Sequence, residues 1–188
     1  MVITVRSKIC CFTGHRPHKL AFGYDEEHED CLLLKMKLLV EIEEMRKKGV
    51  AAFVSGMGMG VDIWAAEMVL DLKQAYPTAG IQLVAVIPFE EQASRWNEAW
   101  RARYFRILTQ VDETVLLHNR YTKGCMHERN RYMVDQSAHM IAVFNGHEGG
   151  TKYTVDYATR KGIHVVIIDP TDMIKKEIPP LRDFKLIE

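Results

Sequence analysis

The chain has 188 residues, 47% of them hydrophobic, which suffices for one α/β domain with a sizeable core and is too little for two. Lys plus Arg and Asp plus Glu stand at 25 each, so there is no global field for nucleic acid or an anionic membrane surface, and any anion site must be local. No apolar run approaches the ~20 residues that cross a bilayer, and "MVITVRSKICCFTGHRP" lacks the apolar centre of a signal peptide; the expectation is a cytoplasmic protein without membrane contact.

Short apolar runs alternate with helical patterns, the rhythm of a parallel sheet with helices on both faces. The first run is "KICCFT" (8–13), where adjacent Cys10 and Cys11 point to opposite faces and cannot easily pair. With Cys31 and Cys125 they read as reduced, buried thiols without metal spacing. "TGHRP" follows: Thr13 and Gly14 permit close backbone approach to a ligand, and Arg16 can fork onto phosphate or carboxylate. An amphipathic helix then carries Leu34, Leu38, Ile42 and Met45 at helical spacing and ends in Lys47, Lys48 and Gly49.

The second strand, 51–55, leads into "SGMGMGVD", with Gly56, Gly58 and Gly60 before a helix from Asp62 to Tyr76 that Pro77 stops. Its G-x-G-x-G spacing is not the dinucleotide fingerprint G-x-G-x-x-G, so ordinary NAD binding fits poorly, but a backbone nest for an anion or a simple tight turn both fit. Asp62 would repel a phosphate and reads better as an N-cap or an acceptor for ribose or base.

After the strand at 82–87 come Glu90 and Glu91, suited to sugar hydroxyls or to starting a helix over about 91–110. That helix carries Trp96, Trp100 and Tyr104 on one stripe beside Arg95, Arg101 and Arg103, which is core packing or a platform for stacked bases. A strand at 113–117 precedes "YTKGCMHERNRYMVDQS", with Arg129 and Asn130 on a helix over about 126–137; Arg129 and Arg131 diverge by about 200° and do not share a partner. The strand at 140–145 opens into "NGHEGGTKYTVD", where Gly149 and Gly150 bare the first N–H groups of a helix that Thr151 can cap, a second anion cradle on the same sheet edge. A last strand at 164–169 is followed by a proline-bearing extension, giving a domain over 1–169 and a C-terminal segment over 170–188.

In order, "SGMGMGVDIWAAEMVL", "ERNRYMVDQSAHMIAVFNG" and "GGTKYTVDYATRKGIHVVIID" resemble the S-G-x-A-x-G-I-D, R-N-R and G-S/T-helix-strand segments of the DNA-processing protein DprA. With "CCFTGHRP" and "IPFEEQASRW", the chain most resembles the YpsA-like branch of the SLOG superfamily, which also holds the LOG phosphoribohydrolases. The resemblance implies a Rossmann-like three-layer sandwich with a mostly parallel sheet. It also implies a ligand site at Gly14, Arg16, Ser55 to Asp62 (Ser55, Gly56, Gly58, Gly60 and Asp62), Arg129, Asn130, Gly149, Gly150 and Thr151, to which the reading of the residues adds Thr13 and Glu90. Two departures stand out. A neutral chain of 188 residues is not expected to hold the flanking domains and basic surface usual in DprA, and Tyr153 stands where the first glutamate of the LOG motif P-G-G-x-G-T-x-E-E would fall.

The expected function is therefore a cytoplasmic binding protein or sensor for a nucleotide or nucleotide-derived small molecule such as ADP-ribose, with no cofactor and no metal. One alternative is a nucleotide N-glycosidic hydrolase of LOG type using Asp62, Glu67, Glu90 or Asp156. Another is a single-stranded nucleic-acid binder of DprA type using Arg95, Arg101 and Arg103. A homo-oligomer is compatible with the sequence.

Overall fold

A computed structural model describes residues 5–181; residues 1–4 and 182–188, which hold the start of the N-terminal stretch and the end of the C-terminal segment, lie outside the described residues. The elements run β1(Ile9–Gly14), α1(Glu29–Lys47), β2(Ala52–Ser55), α2(Val61–Ala75), β3(Gln82–Ile87), α3(Glu98–Leu108), β4(Glu113–Leu116), α4(Cys125–Gln136), β5(His139–Val143), α5(Gly150–Arg160), β6(His164–Ile168) and β7(Lys175–Ile178). The sheet order is β4-β3-β2-β1-β5-β6-β7. All pairings are parallel except β6 with β7.

Side-chain alternation along each strand divides the core in two. Cys10 and Phe12 face α1, α2 and α3, whereas Ile9 and Cys11 face α4 and α5. The central strands β1 and β2 are buried on both faces, which is why their sequences are almost continuously apolar. All four cysteines are buried and unpaired. On the first face, Phe12 stacks on Phe53 at 5.9 Å, and Trp64 lies tilted against Trp100 at 6.4 Å.

Three elements differ from the sequence reading. The helix expected over 91–110 begins only at Glu98, because the Asn97 side chain accepts the Trp100 N–H and caps it there; residues 90–95 form turns instead. β4 is an edge strand and mostly exposed. Within the C-terminal segment, Lys175–Ile178 adds β7, and its three leading charged residues carry no apolar alternation because the strand is exposed at the sheet edge.

Strand order reverses between β1 and β5: the chain winds outward to β4 on one side and to β6 on the other. The loops after β1 and β5 part at this point, opening a crevice at the carboxyl edge of the sheet. Close contact of α2 with β1 narrows it. A methyl group on Gly14 would lie 2.5 Å from Val61 Cβ, so Gly14 lets the first turn of α2 rest on the end of β1. Gly14→Ala is expected to cost about 1–3 kcal/mol of stability by overpacking this contact. Urea denaturation checks it, and an unchanged midpoint would mean that α2 does not bear on β1 here.

Candidate functional site

The crevice is a cleft of about 350 Å³. Its lining includes Thr13, Gly14, Arg16, Gly58, Asp62, Arg129, Asn130, Gly150 and Thr151, nine of the residues expected from the sequence. Ser55, Gly56, Gly60, Glu90 and Gly149 are not in the lining. Ser55 and Gly56 are buried behind it, and Glu90 is exposed beyond the end of β3. Sequence reasoning missed Lys19 and the apolar contributors Met59 and Met126, and it passed over His15 within the TGHRP motif.

At the back of the cleft, Asp62 and Arg129 are both buried, and Arg129 Nη1 lies 3.4 Å from Asp62 Oδ2. The same Asp62 oxygen accepts the Gly58 N–H at 3.1 Å. Arg129 Nη1 also donates to the Gly56 carbonyl, and a side chain on Gly56 would occupy the guanidinium's position. Among the described residues Arg129 Nε has no partner. Burial pushes the Asp62 carboxyl up from its ordinary range, opposed by Arg129, the Gly58 amide and Arg16.

Several polar groups of the glycine loop after β2 are engaged by neighbouring side chains. Ser55 Oγ donates to the Asp62 carbonyl at 2.9 Å and accepts the Met57 N–H at 3.1 Å, while Gln92 Nε2 donates to the Met57 carbonyl at 2.7 Å. Gly60, at φ +88°, is the N-cap of α2 and packs on Pro17 of the first loop. Asp62 is therefore not the N-cap; it sits in the first turn, and its carboxylate is a fixed acceptor facing Arg129.

The N-terminus of α5 resembles that of α2 in opening on a glycine without a side-chain cap but differs in what lies against it. Its N-cap is Gly149, no side chain caps it, and Thr151 lies inside the first turn rather than at the cap. A side chain on Gly149 would come within 3.1 Å of Lys19 Nζ, so the lysine head lies against this open helix end. Asn130 Nδ2 donates to Thr154 Oγ1 at 2.7 Å and fixes α4 against α5. Neither Arg16 nor Lys19 has an ion-pair partner among the described residues, so two cations and the positive end of a helix share one cleft.

His15 lines the same cleft and is buried. Asn145 Oδ1 accepts both the His147 N–H at 3.3 Å and, at 2.7 Å, His15 Nε2, which must therefore carry the proton. Burial lowers the His15 pKa from its ordinary value of about 6.5, opposed by the Asn145 hydrogen bond.

The Trp100 and Tyr104 stripe of α3 is not an open stacking surface, although Arg101 and Phe105 on the same helix are exposed. Trp100 and Tyr104 are buried, Arg103 Nη2 pairs with Glu67 at 2.5 Å and Nη1 with Glu26, and the Arg103 guanidinium lies 4.5 Å from the Trp100 ring centre. A larger cleft of about 540 Å³ between α2 and α3 is lined by Glu67, Arg103 and Arg106, whose charges pair with one another. Among the described residues no three His, Cys, Asp or Glu side chains converge on a metal position, and no helix is long and apolar enough to cross a membrane.

With this geometry in view, comparison with known proteins is informative. The family model YpsA, described as the YspA SLOG family, matches residues 10–173. A UPF0398 protein of Halalkalibacterium halodurans is 31% identical over 157 residues, covering 82% of each chain. A UPF0398 protein of Bacillus pumilus is 26% identical over 175 residues, covering 91% of this chain and 92% of the relative. Among solved structures, DNA processing protein A of Streptococcus pneumoniae superposes with a TM-score of 0.55 at 15% identity over 87% of this chain. The Helicobacter pylori protein of the same name, described as having a unique single-stranded DNA binding mode, gives 0.55 at 17% identity over 86%. This chain spans 50% and 65% of those two, and the likeness is one of fold.

Two outcomes are expected of the buried groups. Arg129→Met leaves Asp62 without its counter-charge and should cost about 3–5 kcal/mol by urea denaturation, much of which Asp62→Asn in the same chain restores. Equal loss in the single and double variants would mean that Arg129 acts through packing alone. For His15, the unfolded chain binds the proton more tightly, so its stability contribution is complete above about pH 6.5 and is lost as the pH falls from there through the lowered folded value. His15→Gln should flatten the stability profile between about pH 7 and 5; an unaltered slope contradicts this assignment.

Proposed function

The chain belongs to the YspA SLOG family, and from that premise we propose that it is a cytoplasmic binding protein or sensor for a nucleotide or nucleotide-derived ligand such as ADP-ribose. The observation that carries this reading is the pairing of an uncapped α5 N-terminus with Arg16 and Lys19, two cations without ion-pair partners among the described residues, in one cleft. Phosphate oxygens take up the free N–H groups and both cations there. A cleft of about 350 Å³ suits a mononucleotide, and Met59 and Met126 supply apolar contact. Asp62 lies in the same lining, and its carboxylate would accept from a ribose hydroxyl rather than meet a phosphate.

The hydrolase reading has less support. Of its four candidate acids, Glu67 is paired with Arg103 and Arg106, Glu90 is outside the cleft, and Asp156 is paired with Lys152. Asp62 alone lines the cleft, and it is engaged by Arg129. The single-stranded DNA reading meets a chain of zero net charge whose Arg103 is already committed to Glu67 and Glu26.

Thermal-shift and calorimetric titration with AMP, ADP-ribose, NAD and a short oligonucleotide, with chromatography of the products, tests the proposal. Saturable binding of AMP or ADP-ribose without released base is expected. Arg16→Ala with Lys19→Ala should weaken it at least tenfold, about 1.4 kcal/mol. Released base would favour the hydrolase, oligonucleotide binding that fades steeply with salt would favour nucleic acid, and nucleotide binding unaffected by the double substitution would overturn the proposed phosphate position.

A further inference from the structure

At the amino edge of the sheet, opposite the cleft, β5 and β6 begin with two histidines in register, His139 and His164. Both are partly buried, and their rings stand at 84° to each other with His139 Nδ1 3.3 Å from His164 Nδ1. The other nitrogen of each ring faces an acceptor. His139 Nε2 lies 3.2 Å from the Ser7 carbonyl, which can only accept, so that nitrogen carries a hydrogen. His164 Nε2 lies 3.4 Å from Glu177 Oε2 on β7. Lys175, 2.9 Å from Glu177 Oε1, and then His164 hold the Glu177 carboxyl below its ordinary range. Ionised at neutral pH, it too can only accept, so His164 Nε2 also carries a hydrogen. Two neutral rings would then turn bare Nδ1 lone pairs on each other at hydrogen-bond distance. One further hydrogen between them removes that conflict, and a second restores it as two N–H groups facing head to head.

We infer that the four ring nitrogens of His139 and His164 share three hydrogens, and that the one extra proton clamps β7 and the turn at Arg6–Lys8 onto the amino edge of the sheet. The contacts run from the Ser7 carbonyl through His139 and His164 to Glu177. β7 depends on them most, because it is four residues long, largely exposed, and alone covers the outer edge of β6. Burial, and next His164, lower the His139 pKa from its ordinary value, which puts the extra proton on His164, beside the Glu177 carboxylate. The other charges facing the group limit the clamp. Lys48, at the end of α1, disfavours positive charge on His139, and Lys175 competes for Glu177 while also reaching Glu41 of α1 at 3.2 Å. The clamp therefore holds over a window, failing when the shared proton is lost and again when a second arrives. Histidine changes charge between about pH 5 and 8, so the window lies in the physiological range. The cleft at the carboxyl edge includes none of these residues, and the inference does not depend on what the cleft binds.

Imidazole nitrogen spectra and amide hydrogen exchange of the intact nitrogen-15-labelled chain, followed across pH, test it. Near neutral pH one ring of the pair should be imidazolium and the other neutral with its hydrogen on Nε2. Protection of the β7 amides should pass through a maximum between about pH 5 and 8 and fall on either side with a slope approaching tenfold per pH unit, that of one proton, while the β2 amides show no such maximum. His164→Gln should abolish the maximum, and so should Glu177→Gln, a milder change at a partly exposed position. Two neutral rings at every pH above 5, β7 protection without a maximum, or a maximum that survives both substitutions would overturn the inference. A change in the ring spectra on adding EDTA would overturn it as well, since a metal ion and not a proton would then lie between the nitrogens.

Discussion

The buried contact between Asp62 and Arg129 joins the two halves of the sheet's carboxyl edge. Asp62 belongs to the first turn of α2 on one face of the sheet, and Arg129 to α4 on the other, so the pair reaches across the end of the strands. A carboxylate and a guanidinium withdrawn from water are tolerable only if each satisfies the other and their remaining polar atoms find partners. Gly56 and Gly58 meet part of that condition, and Arg129 Nε is left without a partner among the described residues. The Gly56 carbonyl accepts from Arg129, the Gly58 amide donates to Asp62, and the missing side chain of Gly56 leaves the space the guanidinium fills. The glycines after β2 therefore serve the internal charge pair first.

On the proposed reading, this arrangement decides where an anion would sit. A phosphate beside the loop after β2 would meet the Asp62 carboxylate, whereas one beside α5 meets an uncapped helix end, Arg16 and Lys19. The two glycine segments look equivalent as sequence, and both helices they open lack a side-chain cap, yet the first loop holds the Asp62 carboxylate and the second has the Lys19 ammonium against it. Asn130 contributes from α4 by holding Thr154 and so keeps the open helix end in register with Arg129 one residue away.

Much of the fold was legible because parallel strands buried on both faces are written as unbroken apolar runs; β1, β2, β3, β5 and β6 fall within about two residues of the runs that announced them. β7 was not legible, since "KKEI" at an exposed edge has no apolar signature. The start of α3 was recoverable in principle: Asn97 followed three residues later by a capped N–H is a local signal, but the aromatic stripe beginning at Trp96 obscured it. For the site, Gly14, Arg16, Gly58, Asp62, Arg129, Asn130, Gly150 and Thr151 were visible as residue types near strand ends. What they do was not. Burial of Arg129 depends on a glycine 73 residues earlier, and Lys19 reaches the cleft only because its loop folds toward Gly149. Gln92, which ties down the Met57 carbonyl, was hidden behind the more conspicuous Glu90 and Glu91.

The central claim concerns the position of an anion, and backbone amides report it most directly. In nitrogen-15-labelled protein titrated with AMP, saturable shifts of the Gly150 and Thr151 amides and of the Arg16 segment, with the Gly58 amide held by Asp62 moving little, are what this account predicts. Shifts concentrated on the 56–60 loop, on α3, or on no residue of the carboxyl edge would contradict it.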